Sequence, residues 1–124
     1  MSTTLDSDFL LAVIRMMEFK RQKLLGAQAG LLALALAGTD FTAADLPASL
    51  TEGSKHRAGA ATGSLVAMGL IIVVARIPSP KPNAKGRRLD VLRLAAGKRS
   101  TVLTWFEQNG LPAPTVRDQM QMAI

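Results

Sequence analysis

The sequence predicts a mainly helical α+β domain with a three-helix core, a two-stranded β-hairpin and one further helix at each end. Apolar residues recur at helical spacing over residues 5–68, with turn residues between the periodic segments. A β-branched run, LIIVVARI, follows at residues 70–77, and a second strand pattern, LDVLRL, occupies residues 89–94. The chain has 124 residues, which is enough for one domain with a single core.

The charge of the chain is strongly positive and unevenly distributed. The formal net charge is +6 and the isoelectric point is near 10.6. Most acidic residues lie in the first half, and Asp90 is the sole acidic residue between Ser54 and Arg99, against ten lysine and arginine residues in the same stretch. This balance favours a polyanionic partner, with nucleic acid as the first expectation and an anionic membrane surface as the second.

Composition argues against catalysis. The chain has no cysteine, no tyrosine and one histidine, which excludes thiol nucleophiles and cysteine-ligated zinc and leaves few metal ligands. The basic half offers no pair of carboxylates for acid–base work, and GAATGS lacks the lysine and spacing of a phosphate loop. We therefore expect no enzyme activity, no metal and no cofactor. The absence of cysteine, and of a basic region before an apolar run at the start, favours a cytoplasmic protein.

Two helices are predicted in the first third of the chain. Residues 5–23 form an amphipathic helix capped by Asp6 or Ser7, and it either packs on the core or dimerises. Residues 24–37 are almost wholly apolar, with Gln28 as the exception, which predicts a buried helix ended by Gly38. The apolar stripe of the first helix consists of Phe9, Leu10, Val13, Ile14 and Met17, extended by Leu24.

The next two helices have the spacing of a helix-turn-helix. Thr42 and Asp45 fit a capping box that starts a short helix over residues 43–50, with Phe41 packing back on it. A tight turn at residues 51–53 leads into a longer helix over residues 54–68.

The helix over residues 54–68 is predicted to start at the cap Ser54 and to stop at Gly69. Spacing of three or four residues gives it a core face and an outward face. The core face is predicted to hold Ala58, Ala61, Leu65 and Met68, and the outward face His56, Gly59, Ala60, Gly63 and Ala67.

After the hairpin, Gly97 breaks the second strand and a last helix is predicted over residues 101–109. Ser100 or Thr101 caps it, and Gly110 closes it. The tail over residues 113–124 is expected to attach loosely or to pair with another subunit. The inner face of this helix is predicted to hold Val102, Leu103 and Phe106, with Trp105 over the sheet.

Residues Phe41 to Leu94 resemble the winged helix-turn-helix superfamily. The shared pattern is the helix end L-x-x-x-G-L-I, formed by Leu65, Gly69, Leu70 and Ile71, followed by the hairpin. A longer pattern, A-G-A-A-x-G-x-L-x-x-x-G-L-I followed by S-x-x-P-x-A-x-G-R (residues 79–87), is similar to small helix-turn-helix proteins of phages and prophages. The resemblance implies a winged helix and DNA binding, in transcription regulation or DNA replication.

The candidate nucleic-acid contacts lie on the third core helix, mostly at its start, and on the hairpin tip, here called the wing. Prolines stiffen the wing, which lowers the cost of ordering it on a phosphate backbone. The small residues of the outward helix face cannot hydrogen-bond to bases, so we expect low sequence specificity. The candidate residues are Lys55, His56, Arg57 and Ser64 on the helix and Lys81, Lys85, Arg87 and Arg88 on the wing.

The predicted organisation is an N-terminal helix (1–23), a winged-helix domain (24–110) and a C-terminal tail (111–124). The first functional expectation is binding of double-stranded DNA, with a homodimer through the N-terminal helix or the tail. The alternative is a winged helix that binds protein. A second alternative is a small two-span membrane protein, because residues 58–75 form an eighteen-residue run without charge. It ranks lower, because that run changes from small to β-branched residues halfway along.

Overall fold

A computed structural model of the chain describes residues 5, 7–20, 23–51, 56–78 and 88–112. It is α+β and mainly helical, with a two-stranded antiparallel hairpin, as the sequence predicts. The elements in chain order are α1 (Ser7–Lys20), α2 (Lys23–Leu36), a 3₁₀ turn (Ala43–Asp45), α3 (Ala48–Thr51), α4 (Arg57–Ala67), β1 (Ile71–Pro78), β2 (Arg88–Leu94) and α5 (Arg99–Gln108).

Helix α2 lies at the centre of the fold, and α1, α3, α4, α5 and β2 all pack against it. Its all-round apolar sequence is therefore explained by burial on every side. The prediction for this helix is confirmed, including its end at Gly38, which has a φ of +85°. Leu31, Leu32 and Leu36 are among the most deeply buried side chains.

Two glycines let neighbouring elements approach α2 closely. A Cβ built on Gly26 would overlap the thioether of Met17 on α1. A Cβ on Gly30 would lie 2.6 Å from a methyl carbon of Leu46 and 2.7 Å from one of Leu50. The side chains of the 3₁₀ turn region and of α3 thus occupy the space that any larger residue at position 30 would need.

The helix predicted over residues 43–50 is wrong as a continuous element. The structure has a 3₁₀ turn and then the four-residue helix α3, separated at Leu46 and Pro47. Proline disfavours helical conformation at the residue before it, and Leu46 accordingly has extended backbone angles. The capping box is confirmed: Asp45 accepts from the backbone N–H of Thr42, and the Thr42 hydroxyl accepts from Ala44.

Helix α4 shows most of the predicted two-faced pattern. Ala61 and Leu65 are fully buried, and the predicted outward residues are exposed. The assignment of Met68 to the core face is wrong: it follows the last helical residue and is 48% exposed. Gly69 ends the helix with a φ of +77°, as predicted, whereas the predicted cap Ser54 lies outside the described residues.

The eighteen-residue uncharged run is divided between α4, the turn at Gly69 and the first part of β1. Among the described residues, the structure contains no helix with the length and apolar character needed to cross a membrane.

Strands β1 and β2 pair antiparallel from Ile71 opposite Leu94 to Pro78 opposite Arg88. The register shifts between Val73 and Ala75, which leaves Val74 as a bulge. Leu92 is fully buried and anchors the hairpin in the core. Strand β1 begins at Ile71, one residue later than predicted, and its last residue is Pro78.

The two terminal helices meet through aromatic rings. Phe106 of α5 contacts Phe9 of α1 and the neighbouring Trp105, both edge to face, at centroid distances of 5.6 and 5.3 Å. The prediction that Leu103 belongs to the inner face is wrong, since its side chain is 37% exposed. Helix α5 starts at Arg99, before the predicted caps, and has no side-chain cap.

In α1, Phe9 and Val13 are buried as predicted, and Leu10, Ile14 and Met17 pack partly against the core. Met16, which the stripe omitted, is also buried. Leu24 is 39% exposed, so the stripe does not extend to it. The tail over residues 113–124 lies outside the described residues.

Candidate nucleic-acid interface

Apart from His56 at its start, the outward face of α4 consists of glycine and alanine. His56, Gly59, Ala60, Gly63 and Ala67 are exposed along it. A Cβ at Gly59 or Gly63 would meet no described atom within 4 Å, so packing within the described chain does not require glycine at either position. An interior helical glycine costs about 0.5–1 kcal/mol relative to alanine. The face is therefore flat and accessible, and its two glycines lower the stability of the helix.

The N-terminus of α4 brings two of the candidate residues to one end of this face. His56 is the N-cap residue and is exposed, and its side chain makes no capping hydrogen bond. Arg57 is the first helical residue and is half-buried. Backbone N–H groups and the positive end of the helix dipole also point out of this end of the helix. Lys55 lies outside the described residues.

Ser64 has partners within the protein. Its hydroxyl donates to the carbonyl oxygen of Ala61 at 2.8 Å and accepts from the side-chain amide of Gln28 at 2.8 Å. The side chain is half-buried between α4 and α2. The structure therefore gives this candidate residue a role in holding two helices together.

Two arginines of the hairpin strands are paired with carboxylates. Asp90 lies opposite Arg76 in the register, and their side chains approach to 3.1 Å. Arg93 donates from Nε and Nη2 to both carboxylate oxygens of Asp40, at 2.7 and 3.0 Å. Asp90, the sole acidic residue between positions 54 and 99, is thus paired within the hairpin, two register positions from Pro78 and Arg88.

The pair of Arg93 and Asp40 shifts both ionisation equilibria. The hydrogen bonds from Arg93, with its charge as a smaller cause, hold the pKa of Asp40 below its usual value. The hydrogen bonds to Asp40 raise the pKa of Arg93. Both side chains are exposed, so this pair makes a modest contribution to stability.

The remaining cations of the hairpin belong to its tip. Arg88 is the first residue of β2 and lies opposite Pro78, so residues 79–87 connect the two strands. Lys81, Lys85 and Arg87 occur in that stretch, which contains no acidic residue. These three residues, and the side chain of Arg88, lie outside the described part of the chain.

Sequence reasoning missed the contact that fixes the base of the hairpin. The backbone N–H of Phe41 donates to the Leu92 carbonyl at 3.0 Å, and that of Leu92 donates to the Phe41 carbonyl at 2.7 Å. This antiparallel bridge makes Phe41 a one-residue third strand and sets Asp40 beside Arg93. A single bridged residue is too short to produce an alternating pattern in the sequence. The opposite charges of Asp40 and Arg93, each next to a bridged residue, are consistent with the bridge but do not predict it.

A second contact was also missed. Arg99 donates from Nη1 to the carbonyl oxygen of Leu36, at 3.3 Å. A cation at this position satisfies a carbonyl at the end of α2 and interacts favourably with the helix dipole.

The chain was compared with family models, curated proteins and solved structures. No family model matches the chain, and no curated protein or solved structure is significantly similar to it. Within the described ranges, histidine and acidic side chains form no cluster that could hold a metal ion.

Proposed function

We propose that this protein is a winged helix-turn-helix protein that binds double-stranded DNA mainly through the phosphate backbone, in a regulatory or replication role of a phage or other mobile element. The observation that carries the proposal is the separation of charge along the hairpin. On the described strands, Arg76 and Arg93 are each matched by an acidic partner. The tip has lysine and arginine with no acidic residue among them.

The order of elements supports the winged helix. A buried helix (α2) leads to the one-residue strand at Phe41, then to α3, α4 and the two strands of the hairpin. In a winged helix the helix before the hairpin lies against the DNA and the hairpin tip contacts the neighbouring backbone. The exposed face of α4 and the basic sequence between the two strands are the matching parts of this chain.

The outward face of α4 determines what kind of DNA contact is expected. Glycine and alanine offer no hydrogen bonds to base edges, so they provide no direct readout of sequence. They do allow the helix backbone to approach closely, with His56 and Arg57 at its N-terminal end. Lys55 and Arg57 are then phosphate contacts, which position the protein without reading sequence. Ser64 is left out of this interface because its hydroxyl already bonds Gln28 and Ala61.

A salt series tests the proposal. Binding of the purified protein to a random-sequence duplex is measured from low to physiological salt. Contacts to about four or five phosphates predict a log–log slope near −4. Replacing the duplex with others of unrelated sequence should change the affinity little. Failure to bind any duplex at low salt contradicts the proposal and favours the alternative, a winged helix that binds protein.

A further inference from the structure

Strand β1 presents an apolar edge that no other described strand covers. Within the described ranges β1 pairs with β2 alone. Five large apolar side chains that are more than a third exposed lie close together in the chain, on the last turn of α4, the turn after it and β1. They are Val66, Met68, Ile72, Val73 and Ile77.

The backbone hydrogen bonds show which groups face this edge. Leu92 exchanges both of its backbone bonds with Phe41, so its N–H and C=O point away from β1. Val73 lies opposite Leu92 in the register. In an antiparallel ladder a residue opposite a non-bonded partner also points its groups away. The N–H and C=O of Val73 therefore face out of the sheet, toward the open edge.

Charge does not protect the edge. Exposed edge strands are usually guarded by charged side chains, proline or a bulge. The strand is uncharged from Ile71 to Ala75, and Arg76 is paired with Asp90. Proline occurs only at the last position, Pro78. The bulge at Val74 is therefore the main protection that this strand has.

We infer that the edge of β1 pairs antiparallel with β1 of a second copy, which makes a two-fold dimer with a four-stranded sheet. A two-fold axis brings the same strand to itself, so its neutral, apolar character is complementary on both sides. The internal pairing of Arg76 and Asp90 removes the like-charge repulsion that the dimer would otherwise meet at this strand. This surface is distinct from α1 and from the C-terminal tail, and the inference does not depend on DNA binding.

The dimer is expected to be weak. The bulge at Val74 interrupts the edge, and Pro78 has no N–H to donate. The paired length is therefore short and the interface falls at the low end of protein–protein contacts. Association should appear as a concentration-dependent change in mass.

The test is sedimentation of the full chain over a wide range of concentrations, with two variants at the edge. Val73→Pro removes a donor that faces out of the sheet and keeps the bonds between β1 and β2. Val73→Lys places a charge at the same point if proline disturbs the fold. Leu103→Lys is the matched control, because Leu103 on α5 is 37% exposed and Val73 is 38% exposed. Far-ultraviolet circular dichroism verifies that each variant is folded.

We expect the native mass to rise from 13.2 kDa toward twice that value. Both Val73 variants should dissociate at least tenfold more readily, and Leu103→Lys should behave as the native protein. A chain that stays monomeric throughout overturns the inference. The inference also fails if Phe19→Ser on α1, where Phe19 is 89% exposed, abolishes association while the Val73 variants preserve it.

Discussion

The side-chain amide of Gln28 donates a hydrogen bond of 2.8 Å to the hydroxyl of Ser64, which joins the central helix α2 to helix α4. Gln28 interrupts an otherwise apolar helix, and its amide meets a half-buried hydroxyl across the interface. Loss of one partner leaves the other without this bond in a place that water reaches poorly. The pair therefore fixes how α4, with its exposed face, sits on the core.

Ser64→Ala is expected to lower the free energy of unfolding by about 1 kcal/mol, the usual net value of such a hydrogen bond. Urea denaturation measures it. DNA affinity at a temperature where the variant is folded should stay unchanged. Gln28→Leu combined with Ser64→Ala should cost less than the sum of the two changes, because both remove the same bond. If Ser64→Ala lost as much DNA affinity as a variant with Lys85, Arg87 and Arg88 changed to alanine, Ser64 would be a DNA contact.

Replacing glycine by alanine should have opposite effects at two places. At Gly59 or Gly63 the added methyl meets open space, so unfolding should become harder by about 0.5–1 kcal/mol. At Gly30 the methyl would lie under 3 Å from the buried Leu46 and Leu50. Overpacking costs about 1–3 kcal/mol, more than the gain in helix propensity, so stability should fall. The melting temperatures of the three variants test both expectations. A stabilised Gly30→Ala would contradict the close packing of Leu46 and Leu50 on Gly30.

The same exposed face gives a functional prediction. If α4 approaches DNA closely, Gly63→Leu should weaken binding severalfold, because the larger side chain holds the backbone away. The alanine variant changes the shape less and should bind nearly as well as the native protein. Fluorescence anisotropy with a labelled duplex measures both. Equal affinity for the leucine variant would show that this face does not contact DNA.

The pairing of Asp40 with Arg93 predicts a dependence on pH. The pKa of Asp40 is depressed in the folded protein, so the pair stabilises the fold above the unfolded pKa of about 3.9. That contribution is lost as the pH falls through the lower, folded pKa. Carboxyl chemical shifts should give Asp40 a pKa below the ordinary value, and Arg93→Gln should return it toward that value. An unchanged pKa in Arg93→Gln would mean that another group lowers it.

Removal of a core side chain should have the largest effect on stability. Leu92 is fully buried and its backbone bridges to Phe41. Leu92→Ala is expected to cost about 2–5 kcal/mol, the range for buried leucine, as measured by urea denaturation. Leu103→Ala on the exposed side of α5 serves as the control and should cost much less. Similar losses at both positions would contradict the burial that separates them.

Elements with strong local patterns were predictable from the sequence. The apolar run of α2 and the two hairpin strands each repeat a signal over several residues, and the end of α4 is marked by Gly69, a residue type that adopts positive φ readily. Contacts made once were not predictable. The bridge at Phe41 involves one residue, and the bond from Gln28 to Ser64 joins positions 36 residues apart. Met68 and Leu103 both fit the helical spacing of apolar residues. Met68, however, follows the last residue of α4, and the buried face of α5 includes Val102 and Phe106 but not Leu103.

For the candidate interface, the basic residues could be identified from the sequence, but the carboxylates that pair with them are visible only in the structure. Composition pointed to the basic half of the chain. The hairpin register then showed that Asp90 matches Arg76, and the bridge at Phe41 brought Asp40 beside Arg93. Such pairings depend on the strand register, which charge counting cannot supply.

The most direct test of DNA binding by the wing compares two variants that lose the same charge. Lys85, Arg87 and Arg88 are changed to alanine in one, and Lys20, Arg21 and Lys23, at the junction of α1 and α2, in the other. Each is titrated with a random-sequence duplex across a salt series. The account predicts that the wing variant loses most of its affinity and that its log–log slope becomes shallower by about 2.7, while the junction variant stays close to native. Equal losses in both variants would show that net charge, and not the wing, carries the binding.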